Sequence, residues 1–180
     1  MKIGVILDNI RSVHNVGSIF RTADGVGVEK LYLCGITPSP IDRLKTVRAD
    51  FAKVALGAEE YVPWELVPTT EDAIARAKSE GYIICALEQA ENSIPYYSLR
   101  VAGAGDGNDS DAKIAIVLGT EVDGLSPEIL QLADHILEIP MRGDVVAHSG
   151  HPKNDGHGKE SLNVAVAFGI VAFGLRYAKK

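Results

Sequence analysis

Two rhythms of apolar and polar positions run along this chain. Lys2 to Asp8 is an almost unbroken apolar run of strand length, the signature of a strand buried on both faces. After a polar turn, Asn9 to Asn15, apolar residues fall at 16, 19, 20 and 23, which is the spacing of one buried helix face. Gly25 and Gly27 close that helix, and Lys30 to Cys34 reads as a second strand. Thr37 to Pro40 is a Pro-rich loop, and the basic segment Ile41 to Lys53 fits neither period cleanly. Ala55 to Glu59 leads to a short predicted strand at Tyr61-Val62. Thr70 to Ser79 is a predicted helix with Thr70 as N-cap and acids in its first turn, and Tyr82 to Leu87 is a strand. Val101 to Ala112, rich in Gly, Asp and Asn, is expected to be a mobile loop. Lys113 to Leu118 is a buried strand, followed by a turn from Gly119 to Leu125 and a helix from about Ser126. Last come an apolar run, Ile136 to Met141, a turn at Arg142-Gly143, a polar loop from Asp144 to Glu160, and a terminal helix that opens at Ser161. Strands alternating with helices predict an α/β fold, a mostly parallel sheet with helices on both faces. No repeat or internal boundary appears, so residues 1–180 are read as a single domain with a polar loop at about 144–160.

Composition narrows the class. A content of 46% hydrophobic and 23% charged residues is that of a soluble globular protein. The longest apolar-plus-Gly stretch, Val164 to Leu175, falls well short of the ~20 residues that span a bilayer, so no membrane is expected. Met1 to Val5 carries no signal-type apolar region, and Cys34 and Cys85 each sit inside an apolar run as buried thiols do. Both point to the cytoplasm. The net charge of −6 argues against indiscriminate nucleic-acid binding, but the charge is unevenly spread. Residues 11–53 carry seven Lys/Arg against four acids, a net of +3, and residues 54–180 carry ten against nineteen, a net of −9. One basic region on an acidic body suits a localised polyanion contact.

A dinucleotide-binding glycine fingerprint and a P-loop are both absent; Gly25-Val26-Gly27 follows a helix and serves as its stop. His148, His151 and His157 lie in the polar loop without a Cys or carboxylate pattern beside them, so no metal is expected. Three polar groups stand at strand ends or helix starts: Asn15 with Arg21, Glu121, and Ser161 with Asn163. Open parallel sheets bind ligands beyond the carboxyl ends of their strands, where these groups could converge. Each also has a plainer reading, as an N-cap (Asn15, Ser161), a surface arginine (Arg21) or a turn acid (Glu121). Spacing alone reaches no further than a phosphate- or nucleotide-related α/β site.

Asn15-Val16-Gly17-Ser18-Ile19-Phe20-Arg21-Thr22-Ala23, then Leu118-Gly119-Thr120-Glu121-Val122-Asp123-Gly124-Leu125, then Ile139-Pro140-Met141 with Ser161-Leu162-Asn163-Val164-Ala165-Val166-Ala167, resemble three ordered motifs. They are similar to those of the SpoU/TrmH-like ribose 2′-O-methyltransferases of the SPOUT superfamily. Lys53 to Glu59 also resembles a segment common in that family. The resemblance covers nearly the whole chain.

It implies an α/β domain with a C-terminal deep trefoil knot, a homodimer, and S-adenosyl-L-methionine as co-substrate with no metal. It implies a tRNA or rRNA partner methylated on a ribose 2′-OH. Leu118, Gly119, Ile139, Met141, Gly143, Ser161 and Leu162 would hold the co-substrate. Arg21, supported by Asn15, would face the RNA ribose and phosphate, and Glu121, Ser161 and Asn163 would order the site. The family's proposed role for this arginine is that of base. A guanidinium has no acceptor, so a clamp on phosphate and developing oxyanion is the alternative, and Arg21 carries either role. Gly143 and Ser161 stand eighteen positions apart, longer than the family's usual span, which makes the loop between them an insertion. No appended RNA-binding domain is read, so RNA recognition would fall to the basic region 43–53, the 144–160 loop or a dimer partner. A catalytically idle RNA-binding or assembly module, and a SPOUT base methyltransferase, are the competing classes.

Overall fold

The computed structural model describes residues 1–100, 112–120, 123–141 and 162–177. The Val101–Ala112 loop up to residue 111, the His-bearing 144–160 loop, and Glu121, Gly143 and Ser161 lie outside these residues, as does the segment on which a knot would turn.

Seven strands form one sheet: β1 (Lys2–Asp8), β2 (Lys30–Cys34), β3 (Trp64–Val67), β4 (Ile83–Leu87), β5 (Ile94–Pro95), β6 (Lys113–Leu118) and β7 (His135–Glu138). Their order is β3-β2-β1-β6-β4-β7-β5, and every pairing is parallel. The register threads one apolar row across the sheet near its carboxyl edge: Leu66, Leu33, Leu7, Leu118, Leu87, Leu137 and Ile94. Helices α1 (Val13–Val26), α2 (Ala49–Ala55), α3 (Ala58–Tyr61) and α6 (Val164–Tyr177) cover one face, where Ile3, Val5, Leu7, Ile114, Ile116 and Leu118 point. Helices α4 (Thr70–Ser79) and α5 (Pro127–Leu132) cover the other, over Ile6, Tyr32, Ala115 and Val117. That alternation is the period-2 pleat made visible, and because both faces are covered the strands read as continuous apolar runs. Among the described residues no helix is long and apolar enough to cross a membrane.

Four local readings change. The predicted Tyr61-Val62 strand is instead the end of α3: Val62 N–H bonds Ala58 O (2.9 Å) and closes a helical turn, so local β-propensity loses to a turn begun at Gly57, φ 92°. The strand starts at Trp64, after the Pro63 carbonyl has accepted from Leu31 N. The N-cap of α4 is Thr69, whose side chain accepts from Asp72 N; Thr70 is already helical and its hydroxyl donates to Asp8. Helix α1 begins at Val13 with Ser12 as its cap, accepting from Asn15 N at 3.2 Å. The apolar run at 136–141 pairs only from His135 to Glu138, leaving Ile139 to Met141 beyond the strand. The basic segment resolves into a turn closed by the Ile41–Val47 bridge, followed by α2.

Candidate active site at the carboxyl edge of the sheet

Because Ser12 caps α1, the Asn15 side chain is not needed as a cap. It meets Asn163, whose Nδ2 donates to Asn15 Oδ1 at 3.0 Å across 148 positions of sequence. The other end of the Asn163 amide caps α6, with Oδ1 accepting from Ala165 N (3.0 Å) and Val166 N (3.4 Å). Asn163 therefore both starts the terminal helix and fastens it to the first turn of α1. From there the two helices run side by side in the same direction. Thr22 faces Gly169, Phe173 faces Gly25, and the Arg176 guanidinium reaches Val26 O (3.0 Å), Gly27 O (2.7 Å) and Met1 O (2.5 Å). Gly17 serves a different flank: a Cβ there would sit 3.0 Å from Val54 Cβ, so its bareness lets α2 cross α1 closely. That contact joins the Lys53–Glu59 segment to the first motif.

Arg21 lies six positions beyond Asn15, about 9 Å along the helix axis and turned away from it. Its side chain is exposed, with no hydrogen-bond or ion-pair partner among the described residues. The structure thus brings Asn15 and Asn163 into contact and leaves Arg21 presented outward from the same helix.

The second motif is built on bare backbone. A Cβ on Gly119 would fall 2.6 Å from Gly124 C and 2.8 Å from Leu125 N, so only glycine lets the chain fold back here. Gly124 has φ 68°, its N–H donates to Thr120 O (3.1 Å), and Thr120 Oγ1 accepts from Asp123 N (3.0 Å). Leu118 is 1% exposed and belongs to the core, so Leu118 and Gly119 offer backbone groups to any ligand. Of the third motif, Ile139 packs partly against the core, Met141 is 40% exposed and Leu162 is half-buried. β6 and β7 both pair with β4, in the rows Leu118–Leu87 and Leu87–Leu137, so the candidate co-substrate segments straddle the end of β4.

Two carboxylates that sequence reasoning passed over mark this edge. Asp8, 8% exposed at the end of β1, accepts from Thr70 Oγ1 (2.5 Å) and Asn9 Nδ2 (2.8 Å), and Asn9 Oδ1 accepts from Ile36 N (3.2 Å). Glu88, just past β4, accepts from Leu125 N (2.9 Å) and Gln89 N (3.0 Å). The signal that could have found both is a polar residue directly after an apolar strand, the position where parallel sheets hold ligands. β1 and β6 are neighbours whose following helices lie on opposite faces, the topological arrangement in which such sites form. Burial pushes the Cys34 and Cys85 thiols up to about 12, so both are core groups and not nucleophiles. Among the described residues no group of three or more His, Cys, Asp or Glu could hold a metal ion.

The arrangement has relatives. The chain is 31% identical over 169 residues to a "Putative TrmH family tRNA/rRNA methyltransferase" of Staphylococcus aureus, covering 94% of this chain and 56% of that protein. It is 29% identical to the "tRNA (guanosine(18)-2'-O)-methyltransferase" of Escherichia coli, covering 94% of this chain and 60% of the relative. The chain therefore spans little more than half the length of these curated relatives. Among solved structures, the A. aeolicus TrmH/SpoU tRNA modifying enzyme superposes with a TM-score of 0.71 at 26% identity, over 97% of this chain and 74% of the other. The AdoMet-bound rRNA methyltransferase from Sinorhizobium meliloti gives 0.76 at 25%, over 99% and 57%. The model of the SpoU rRNA Methylase family matches residues 2–147, which take in the α1 motif and the glycine-built turn after β6, and to that family this chain belongs.

Proposed function

We propose that the protein is an S-adenosyl-L-methionine-dependent methyltransferase acting on a ribose 2′-OH of tRNA or rRNA. The observation that carries the reading is the Asn15–Asn163 hydrogen bond, which joins the first and third motifs at the sheet edge where the glycine turn of the second also lies.

The residues suit the co-substrate. Leu118-Gly119 supply the kind of bare backbone, and Ile139, Met141 and Leu162 the kind of partly exposed apolar side chains, that an adenosyl group takes as partners; Gly143 and Ser161 belong to the same assignment. When bound, S-adenosylmethionine supplies an electrophilic methyl on a sulfonium. The chain's own task is then alignment and charge. Holding the 2′-oxygen in line converts a bimolecular encounter into a positioned one, and that supplies much of the acceleration. Arg21, exposed and unpaired among the described residues, clamps the RNA phosphate and stabilises the oxyanion as the hydroxyl loses its proton. Asn15 and Asn163 fix the helix entrances, and the motif resemblance assigns Glu121 and Ser161 a supporting part in ordering the site.

RNA contact falls on the basic region 43–53. The Asp42 carboxylate accepts from Leu44 N (2.8 Å) and Thr46 N (2.9 Å), which closes the turn and leaves Arg43, Leu44 and Lys45 at its tip. Arg48 is held by Asp50 at 2.9 Å, so the tip's cations are Arg43 and Lys45. A homodimer is supported by Val166, Ile170, Phe173 and Tyr177, an exposed apolar stripe at helical spacing on α6. Phe173→Glu would then shift the sedimentation of a dimer to that of a monomer.

The test incubates the protein with bulk tRNA and rRNA and labelled S-adenosylmethionine and maps the methylated nucleotide. The expected product is a 2′-O-methyl ribose, with kcat lowered about 100-fold or more in Arg21→Ala. Label on a base nitrogen would replace this reading with base methylation. RNA binding without transfer would replace it with an idle assembly module.

A further inference from the structure

Glu88 occupies the junction of the two segments on which the proposed co-substrate site depends. Its backbone N–H donates to Leu137 O (3.0 Å), tying the end of β4 to the end of β7, from which Ile139 and Met141 follow. Its side chain reaches the other way, across 37 positions, and Oε2 accepts from Leu125 N at 2.9 Å. Oε1 accepts from Gln89 N (3.0 Å), which holds the carboxylate in that orientation. The contact is close on the far side too: a Cβ on Gly124 would run into Glu88 Oε2, and Gly124 and Leu125 are the atoms that lie against bare Gly119. Carboxylate, Gly124-Leu125 peptide and Gly119 thus form a stack in which each layer fixes the next. Leu125 is anchored from the opposite side by its buried side chain, which leaves its N–H aimed at the carboxylate.

We infer that Glu88 is a positioning residue for methyl transfer, latching the Gly124-Leu125 peptide, and with it Gly119, against the ends of β4 and β7 so that the co-substrate meets a preformed backbone. This rests on the reading above that these segments hold S-adenosylmethionine. Glu88 touches neither reactant; it acts through the Leu125 peptide and, beyond it, Gly119. A carboxylate suits the role because an acceptor that is charged binds a backbone N–H more strongly than a neutral one. Its backbone bond to Leu137 survives any side-chain change, so the latch can be opened without unpairing β4 from β7.

The test measures S-adenosylmethionine affinity by calorimetry, well below each variant's Tm, alongside kcat and the KM for RNA. Glu88→Ala is expected to weaken co-substrate binding about tenfold or more, with the KM for RNA within about twofold, because a lost charged hydrogen bond frees the turn but not the RNA surface. Glu88→Gln, which keeps an acceptor oxygen of the same reach, is expected to restore most of that affinity. Gly124→Ala presses on the same contact, so combining it with Glu88→Ala should cost less than the two single losses together. A merely structural Glu88 would lower Tm and leave the affinity of the folded protein unchanged; that result, or additive losses in the double variant, overturns the inference. If Glu88→Ala fails to fold, the comparison passes to Glu88→Gln against Gly124→Ala, where equal affinity in both and the wild type overturns it. A wild type that takes up no S-adenosylmethionine brings down the underlying reading as well, whereas a wild type that binds beside an Glu88→Ala that binds equally brings down this inference alone.

Discussion

The two edges of the sheet are held by opposite chemistry. At the amino edge, charges pair with one another: Lys2 with Glu29 (2.9 Å), Lys30 with Glu65 (3.2 Å), and Arg76 with Glu65 (3.4 Å). Lys78 pairs with Asp134 (3.5 Å), and other cations there take carbonyls, as Arg176 does at the end of α1 and Lys113 does with Glu80 O (2.9 Å). At the carboxyl edge many side chains hold the backbone by accepting from N–H groups, among them Ser12, Asp42, Thr69, Glu88, Ser126 and Asn163. The division follows from topology. In a parallel α/β chain the helices begin at the carboxyl edge and end at the amino edge, so orphan N–H groups collect at one and orphan carbonyls at the other. Most acceptors and cations sort accordingly, and Asp134, which accepts from Ile84 N (2.8 Å) at the amino edge, is an exception. The ion pairs of the amino edge are partly exposed and contribute little, whereas the acceptors at the carboxyl edge fix helix starts or loop shapes. The contrast predicts that substitutions at the carboxyl edge cost activity beyond their cost in stability, and that those at the amino edge do the reverse.

The largest effect is expected from Gly119→Ala. Its Cβ would lie 2.6 Å from Gly124 C, against backbone that cannot rotate away. Overpacking of this kind destabilises by about 1–3 kcal/mol, and since the clash is relieved only by opening the turn, uptake of S-adenosylmethionine should vanish. Calorimetry and thermal unfolding on the same sample check both halves. Unaltered binding with a lowered Tm would mean that this edge is no more specialised than the other.

Asn163 sharpens the comparison because it has two jobs. Asn163→Ala removes the cap of α6 and the bond to Asn15, at a cost of about 1 kcal/mol for the cap alone, and methyl transfer should fall steeply. Asn163→Ser keeps a capping oxygen but not the reach to Asn15. Its Tm should stay close to the wild type while transfer remains low. Recovery of both in the serine variant would reduce Asn163 to a cap.

How much of this could be read from the chain beforehand varies with the range of the interaction. β1, β2, β4 and β6 were legible because both-face burial writes itself as a short apolar run, and the buried face of α1 because its period is 3.6. Asn15, Asn163 and Gly119 stand out in the chain only as members of ordered motifs. The caps were harder: Ser12 and Asn15, or Thr69 and Thr70, are equally good capping residues within one turn of each other, and only the tertiary partners of Asn15 and Thr70 decide between them. Glu88 was invisible for a stronger reason. Its partner is a backbone N–H 37 positions away, and no local pattern records which peptide a carboxylate will reach. Val62 carries a misleading local signal, because β-branched residues favour strands only until a preceding turn fixes the backbone first.

At the amino edge the counterpart to Asn163 is Arg176, which also fastens α6 to α1. Arg176→Ala leaves Val26 O, Gly27 O and Met1 O without their guanidinium, and the expected cost is about 1.5–3 kcal/mol, read as a lowered Tm. Arg176→Lys should recover part of it, since an ammonium meets fewer of the three carbonyls. The affinity for S-adenosylmethionine in the folded protein should not move. A drop in affinity as large as that of Asn163→Ala would erase the distinction between the edges.

The smallest effect tests the amino edge by pH. Tyr82 donates to Glu29 Oε2 at 2.8 Å, and burial, then this bond to Glu29, raises the Tyr82 pKa above its ordinary 10.0. Tyr32 is pushed up to about 12, first by burial and then by Glu80 and Glu65. A phenol whose pKa is higher in the fold than in the unfolded chain contributes its full stabilisation below pH 10, and that contribution is lost as pH rises above 10. Glu29 runs the other way. Burial raises its pKa, but the hydrogen bonds from Lys2 and Tyr82 outweigh it, so the folded value lies below 4.5. Its contribution is present above that value and lost as pH falls. Tyr82→Phe should therefore cost about 1 kcal/mol near neutrality, make the alkaline loss shallower, and begin the acid loss of stability from a smaller plateau. Denaturant midpoints between pH 3 and 11 would show it. Because these groups lie at the opposite end of every strand from Asn163 and Glu88, methyl transfer by the folded variant should keep its wild-type rate, and a variant that lost transfer in step with stability would show that the two edges are coupled through the strands.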